Sequence, residues 1–384
     1  MSNASEFTAA LTGIRSLAAL MVLAHHIFAF AGPRVLSFEV GTLEITYHWL
    51  LTVSWLGANV FFVLSGFLLA IPFVRHIENK RSAIKVSAYM MRRVRRVVPA
   101  YWLQIVILTT VLYFTSSLPV WQVIASHFLF LQNFWPNFAF ALNGVYWTLP
   151  TEFGYYLLLP IFAACSVRFL NNKRAAWLVL SVTLIFTAVA YRWFMFATIA
   201  NEPESTKFLV LLQLPGVIDH FAIGMILAWV FVRYSGIVSS RISDALVVVG
   251  LSGMVAMMAL FYHVYADFWG GHVLLFIGYT LTALFIGAIV LGAALSGPIA
   301  RILFANQLML YVGMISYSLY LWHVPIIRWT MTMLNHFAVT GDRLWWLVVI
   351  VVPSSLIAAT ISYYYIERPF MARKSLTEAK PDAN

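Results

Sequence analysis

The sequence predicts an all-α polytopic membrane protein, and three observations carry that reading. Only 10% of its 384 residues are charged while 62% are hydrophobic, against about 25% charged in a soluble globular domain. Apolar runs long enough to cross a bilayer, about 20 residues each, recur from end to end, and the mean hydropathy is +0.86. The short alternating segments of a membrane β-barrel are not seen, and a helix satisfies its own backbone hydrogen bonds in lipid.

Ten spans are expected, near residues 13–33, 50–74, 98–116, 146–167, 175–197, 208–233, 243–264, 272–294, 306–332 and 344–366. One shorter apolar stretch, Val120 to Phe134, is left over, and loop charge decides its course. Eight basic residues lie between Arg75 and Arg96, and basic loops face the cytoplasm. Two spans precede them, which puts the N-terminus on the same side. If 120–134 does not cross, Arg168 to Arg174, Arg233 to Arg241, Arg301 and the tail with Arg373, Lys374 and Lys380 are also cytoplasmic. Glu39, Glu44, Glu202, Glu204, Asp267 and Asp342 then face outward. A crossing would invert every later loop. About ten transmembrane helices follow, with both termini cytoplasmic and a short re-entrant or interfacial segment near 120–134. Residues 1–370 are expected to form the integral domain and 371–384 a short charged cytoplasmic tail.

The net charge of +10 fits cytoplasmic loops and not nucleic-acid binding, since no soluble basic module is available. The single Cys165 excludes an intramolecular disulfide and a thiol-rich cluster, and no metal is expected. His25 and His26, inside the first apolar run, argue against a cleaved signal peptide.

Ionisable side chains inside spans are costly and mark candidate function. In the first span Arg15 and His26 are eleven residues apart, close to three helical turns, so they share a face about 16 Å apart along the axis; His25 lies on another face. A neutral imidazole near the midplane can take a proton from a hydroxyl. Arg15 is suited to orienting a donor or stabilising developing negative charge; snorkelling to the interface and a helix–helix bond from the histidine are the structural alternatives. In the second span, Ser65 and Gly66 allow close helix approach. Arg93 and Arg96, three apart on one helix face, suit phosphate recognition or lipid headgroups. Glu152 sits inside the fourth span, placed to orient His26, contact a sugar hydroxyl or pair with a cation; Trp147 before it fits the outer interface. Tyr320 and His323 lie in the ninth span, where aromatics fit packing or an interfacial belt. Asp219 and His220 read as packing residues. Glu367 and Arg368 lie at the cytoplasmic boundary, within reach of Arg93 or Arg96.

Taken together, the runs Gly13–His26, Gly57–Leu69, Arg93–Tyr101, Trp147–Glu152, Ser316–Pro325 and Ile366–Pro369 resemble, in order and over nearly the whole chain, the membrane-bound acyltransferase 3 family of bacterial O-acyltransferases of surface and secreted glycans. The resemblance implies ten core helices and an acyl-CoA donor, usually acetyl-CoA, supplied from the cytoplasm. It places the family's arginine–histidine pair on Arg15 and His26, its R-x-x-R motif on Arg93 and Arg96 beside the donor, and its tryptophan-to-glutamate run on Trp147 and Glu152. The departures are Thr12 and Asn59, where many members are acidic, and Pro150 inside the Trp-to-Glu run. Some members carry a fused esterase-like domain; this chain is expected to act without one.

The expected activity is transfer of an acyl group from acyl-CoA to a carbohydrate hydroxyl, on a cell-surface polysaccharide or lipid-linked precursor, at the bacterial inner membrane. His26, Arg15 and Glu152 are the expected catalytic residues, Arg93 and Arg96 bind the donor, and Trp147, Tyr320 and His323 contact substrate. The expected partners are donor, glycan acceptor and membrane lipid, with a homo-oligomer open. The rival readings are O-acylation of a small secreted molecule or glycolipid, and a transporter or flippase of lipid-linked sugars.

Overall fold

The computed structural model describes residues 2–40, 43–79, 84–115, 117–168 and 173–372. Lys80 and Arg81 of the basic connection, and Arg373, Lys374 and Lys380 of the expected tail, lie outside the described residues. The first helix, α1 (Ser2–Ala31), leads into a hairpin of β1 (Ser37–Val40) and β2 (Leu43–Thr46). The second span is broken into α2 (His48–Val53), a single 3-10 turn and α3 (Gly57–Ile77), and α4 (Val86–Phe114) follows. Short α5 (Trp121–Phe128) and α6 (Pro136–Ala139) precede α7 (Thr148–Arg168), α8 (Lys173–Ile199), α9 (Glu204–Leu211) and α10 (Leu214–Tyr234). The chain continues through α11 (Ser240–His263), α12 (Val273–Ala294), α13 (Pro298–Phe304), α14 (Gln307–His336), α15 (Arg343–Ser362), a π-helical turn (Tyr363–Glu367) and α16 (Arg368–Ala372).

Among the described residues, nine helices are long and apolar enough to cross a membrane. The remaining core helix, α7, has 21 residues, about 31 Å at 1.5 Å per residue. Its length is that of a span; Thr148, Thr151, Glu152, Tyr155 and Tyr156 in its first turns lower its hydropathy. The protein is an all-α, multi-pass membrane protein with one addition, the hairpin, whose strands pair antiparallel with Ser37 opposite Thr46 and Phe38 opposite Ile45.

The expected interfacial segment does not cross. α5 is 8 residues long, too short to span, and the turns after it are tied back to the bundle. Gln132 Nε2 donates to the Tyr146 carbonyl at 3.3 Å, Asn133 Nδ2 to the Trp147 carbonyl at 2.7 Å, and Gln213 Nε2 to the Asn133 carbonyl at 2.9 Å. Helix parity therefore collects the basic connections at one end. There Glu78, at the end of α3, pairs with Arg174 of α8 at 2.8 Å and Arg233 of α10 at 3.4 Å. At the opposite end Arg34, after α1, pairs with Asp342, which caps α15 by accepting from Leu344 N at 2.8 Å. Basic residues facing the cytoplasm make the first end the inner one.

Close backbone approach sets the packing. A Cβ built on Gly66 of α3 would stand 2.4 Å from the Phe221 carbonyl oxygen of α10. This is the small-residue contact by which membrane helices gain van der Waals packing. Ser65 beside it has a different role, described below.

Gly66→Ala is expected to lower stability by about 1–3 kcal/mol through overpacking, read as a lower thermal midpoint in detergent. Gly236→Ala, where nothing lies within 4 Å of the added carbon, should leave the midpoint unchanged.

His127 of α5 gives a pH prediction. It is fully buried, its Nδ1 donates to the Val123 carbonyl at 2.8 Å, and burial pushes its imidazole down to about 4. The folded protein thus keeps His127 neutral while the unfolded chain takes up a proton below about pH 6.5. Stability is lost as pH falls from 6.5 through 4, by about 3 kcal/mol at most. Melting curves at pH 7 and pH 4.5 should therefore differ less for His127→Gln than for the wild type.

Candidate functional site

Two cavities meet inside the bundle. The inner one is lined by Arg15 of α1, Arg93 and Arg96 of α4, Glu152 of α7 and Tyr317 of α14. The outer one, about 270 Å³, is lined by His25 and His26 of α1, Asn59 of α3, Trp147 and an aromatic wall from the outer connections. Ala58 of α3 and Tyr320 of α14 line both. These two side chains form the septum between a basic chamber and a histidine-bearing one. Tyr320 is fixed there: its hydroxyl donates to the Val145 carbonyl and meets Thr148 Oγ1, each at 2.8 Å.

The inner chamber concentrates positive charge. Three guanidinium groups face one carboxylate, and Arg93 Nε is buried without a hydrogen-bond partner. Glu152 Oε1 accepts from Ser65 Oγ at 2.7 Å and from Tyr156 OH at 2.6 Å. Such a chamber has unspent donors for an anion with several oxygens, and arginine forks match phosphate best.

The outer chamber holds a histidine pair. His26 Nδ1 lies 2.8 Å from the Val22 carbonyl and 3.3 Å from His323 Nε2. His323 Nδ1 lies 3.1 Å from the Leu319 carbonyl. A carbonyl only accepts, so both histidines carry their proton on Nδ1. His26 Nδ1–H is then shared between Val22 and the His323 Nε2 lone pair, and His26 Nε2 keeps its own lone pair. The second nitrogen of a histidine is set by the bond the first one makes.

The profile of the acyltransferase domain matches residues 8–364. The chain belongs to the acyltransferase 3 family. It is similar to the peptidoglycan O-acetyltransferase OatA of Listeria monocytogenes, 24% identical over 383 residues, covering 95% of this chain and 56% of that protein. It is similar to the O-acetyltransferase OatA of Staphylococcus aureus, 27% identical over 349 residues, covering 85% of this chain and 54% of the relative. A putative O-acetyltransferase of S. aureus is 22% identical over 379 residues, covering 94% and 56%. The chain spans about half the length of these relatives. No solved structure matches it.

The acyltransferase 3 fold brings the sequence-predicted residues into two groups. Arg15, Arg93, Arg96 and Glu152 share the inner chamber; His26, Trp147 and Tyr320 line the outer one, with His323 behind His26. Several expectations change. Glu152 bonds Ser65 and Tyr156 in the inner chamber, so orienting His26 falls to Val22 and His323 instead. Arg15 and His26 stand on one helix about 16 Å apart, so Arg15 serves the inner chamber and is too distant to stabilise charge beside His26. His25, placed on another face by helical spacing, also lines the wide outer chamber; its ring centroid is 5.1 Å from that of His26. Trp147 points inward, with its ring 4.8 Å from Phe208, where an interfacial position was expected. Glu367 accepts from Ser318, and Arg96 lies close enough to act on its charge, within the reach expected.

Sequence reasoning missed Ser65 and Tyr317 in the inner chamber, because nothing local ties them to Glu152, and Tyr156, although its i+4 spacing from Glu152 on one helix was a visible signal. It also missed Arg192, although an arginine in the fifth span was a visible signal. Arg192 is fully buried. Its guanidinium donates to Asp219 Oδ2 at 3.0 Å, Thr280 Oγ1 at 2.7 Å and the Phe276 carbonyl at 2.8 Å. Asp219 also accepts from His220 Nδ1 at 2.7 Å. This dyad has the form of a catalytic pair, yet His220 is fully buried and does not line either chamber. It joins α8, α10 and α12 behind the outer chamber.

Asp219→Ala should therefore leave a buried guanidinium without its counter-ion and destabilise by about 3–5 kcal/mol. Thr280→Val removes a hydroxyl that accepts from Arg192 at 2.7 Å and donates to Asp219 Oδ2 at 2.6 Å, and should cost about 1.5–3 kcal/mol. The order of their thermal midpoints in detergent checks the assignment.

Proposed function

We propose that the protein transfers an acyl group, acetyl in the first instance, from acyl-CoA to a hydroxyl of a carbohydrate. The acceptor is a cell-surface polysaccharide or lipid-linked glycan precursor. The observation that carries this reading is the pair of chambers: three arginines in the inner one, a histidine with a free Nε2 lone pair in the outer one, and a shared septum at Ala58 and Tyr320. The similarity to O-acetyltransferases, one of them named for peptidoglycan, supports the acceptor class.

In this reading Arg15, Arg93 and Arg96 hold the donor's phosphates on the cytoplasmic side, and Glu152, tied by Ser65 and Tyr156, limits the positive charge. The pantetheine arm runs toward the septum and presents the thioester carbonyl there. His26 Nε2 takes the acceptor hydroxyl proton as the oxygen attacks that carbonyl. The new C–O bond forms, the C–S bond breaks, and His26 returns its proton to the departing thiolate. While His26 is charged, its Nδ1–H points at the His323 Nε2 lone pair. His323 thus plays the orienting part that a carboxylate takes in other triads, without adding a negative charge.

Purified protein in proteoliposomes, with labelled acetyl-CoA and a glycan acceptor, tests this. His26→Ala should lower transfer by 10²-fold or more with donor KM kept, whereas Arg93→Ala and Arg96→Ala should raise donor KM. Wild-type transfer by folded His26→Ala would refute the mechanism. Sugar movement without acyl transfer would favour a flippase.

A further inference from the structure

The outer chamber carries polar groups that the proton transfer at His26 does not use. Asn59 of α3 is 4% exposed and Tyr279 of α12 is 1% exposed, and both line the chamber. Neither Asn59 Nδ2 nor Tyr279 OH has a hydrogen-bond partner. Buried donors are normally satisfied, and an unsatisfied one costs free energy. The Tyr279 ring is held by Trp55, Phe261 and Phe268 at centroid distances of 5.6, 5.9 and 6.1 Å. A phenylalanine would make the same ring contacts, so packing alone gives the hydroxyl no role.

The rest of the chamber narrows what those donors meet. Its walls include Trp55, Trp147, Phe208 and Trp269, and among the described residues no lysine, arginine, aspartate or glutamate lines it; the Arg328 guanidinium stands at its edge, with Nη2 3.8 Å from where a Cβ on Gly144 would lie. The three arginines lie in the other chamber. Flat aromatic faces suit the C–H faces of a pyranose ring, and neutral donors suit its oxygens.

We infer that Asn59 and Tyr279 form an acceptor-recognition subsite, in which the carboxamide and the phenol donate to oxygens of a sugar unit stacked against the chamber's tryptophans. This deepens the proposed function and rests on it. Asn59 and Tyr279 are positioning residues: they hold the sugar so that one hydroxyl reaches His26.

The test uses the full chain in proteoliposomes with labelled acetyl-CoA. The acceptors are neutral hexose and N-acetylhexosamine oligosaccharides, uronic-acid oligosaccharides and a simple non-sugar alcohol. Wild type should acylate a saccharide in preference to the simple alcohol. Tyr279→Phe, which keeps the ring, should raise the acceptor KM at least tenfold and leave the acyl-CoA KM unchanged; Asn59→Ala should act in the same direction. A merely structural role would shift both KM values or the thermal midpoint instead. An unchanged acceptor KM in Tyr279→Phe overturns the subsite and leaves the acyltransferase reading standing. Transfer to the simple alcohol and to no saccharide overturns the subsite and the carbohydrate acceptor of the proposed function.

Discussion

The close seating of the first helix against its neighbours is the constraint on which both chambers depend. A Cβ on Gly57 of α3 would lie 2.5 Å from the Ala18 carbonyl of α1, and one on Gly313 of α14 would lie 2.0 Å from that of Thr12. Ser16 Oγ bonds the Met309 carbonyl of α14 between them. In lipid no hydrophobic force drives helices together, so backbone proximity and interhelical hydrogen bonds set the geometry. With α1 clamped between α3 and α14, a single rigid rod delivers Arg15 to the inner chamber and His26 to the outer one. Their separation is a property of the helix, fixed by rise per residue, and does not depend on a loop.

That rod also brings His26 to His323. The two histidines come from α1 and α14, the pair of helices joined by these contacts, and their rings lie 4.9 Å apart between centroids. Both Nδ1 atoms bond carbonyls one turn back on their own helices, so each ring orientation is set locally, and the interhelical contact needs only correct registry. The Arg192–Asp219–Thr280 cluster does the same on the far side of the chamber for α8, α10 and α12. Removing one partner there would cost more than the network contributes, because the cost of an unpaired buried charge exceeds the worth of the pair. Polar clusters thus hold the registry of the helices, and the open cavities lie between them.

The sequence made the charged part of this design legible and left the aromatic part hidden. An arginine or histidine inside an apolar run stands out one residue at a time, so Arg15, His26, Arg93 and Glu152 could be named before any packing was known. Most of the chamber wall could not: Trp55, Phe208 and Trp269 come from separate segments, each alone reads as an interfacial aromatic, and only the family resemblance singled out Trp147. Ser65 and Glu152 are 87 positions apart, and no local rule links them. Spans and their parity followed from length and loop charge, which are one-dimensional. The break between α2 and α3 did not, because the apolar run continues through it, and the β1–β2 hairpin is too short to stand out beside the spans.

In the proposed reaction the septum between the chambers keeps the donor and acceptor halves apart. A thioester exposed to water on its way through the membrane is lost to hydrolysis, and excluding water also strengthens the electrostatics around the reacting atoms. Tyr320, pinned by Thr148 and Val145, cannot swing away without breaking two hydrogen bonds. Ala58 opposite it is the small side chain of the pair. In the proposed reaction the narrow element that must pass or abut the septum is the acyl end of the donor, while the nucleotide stays with the arginines and the sugar with the tryptophans. Catalysis then needs neither substrate to cross the membrane, only the acyl group to change partners at the wall they share.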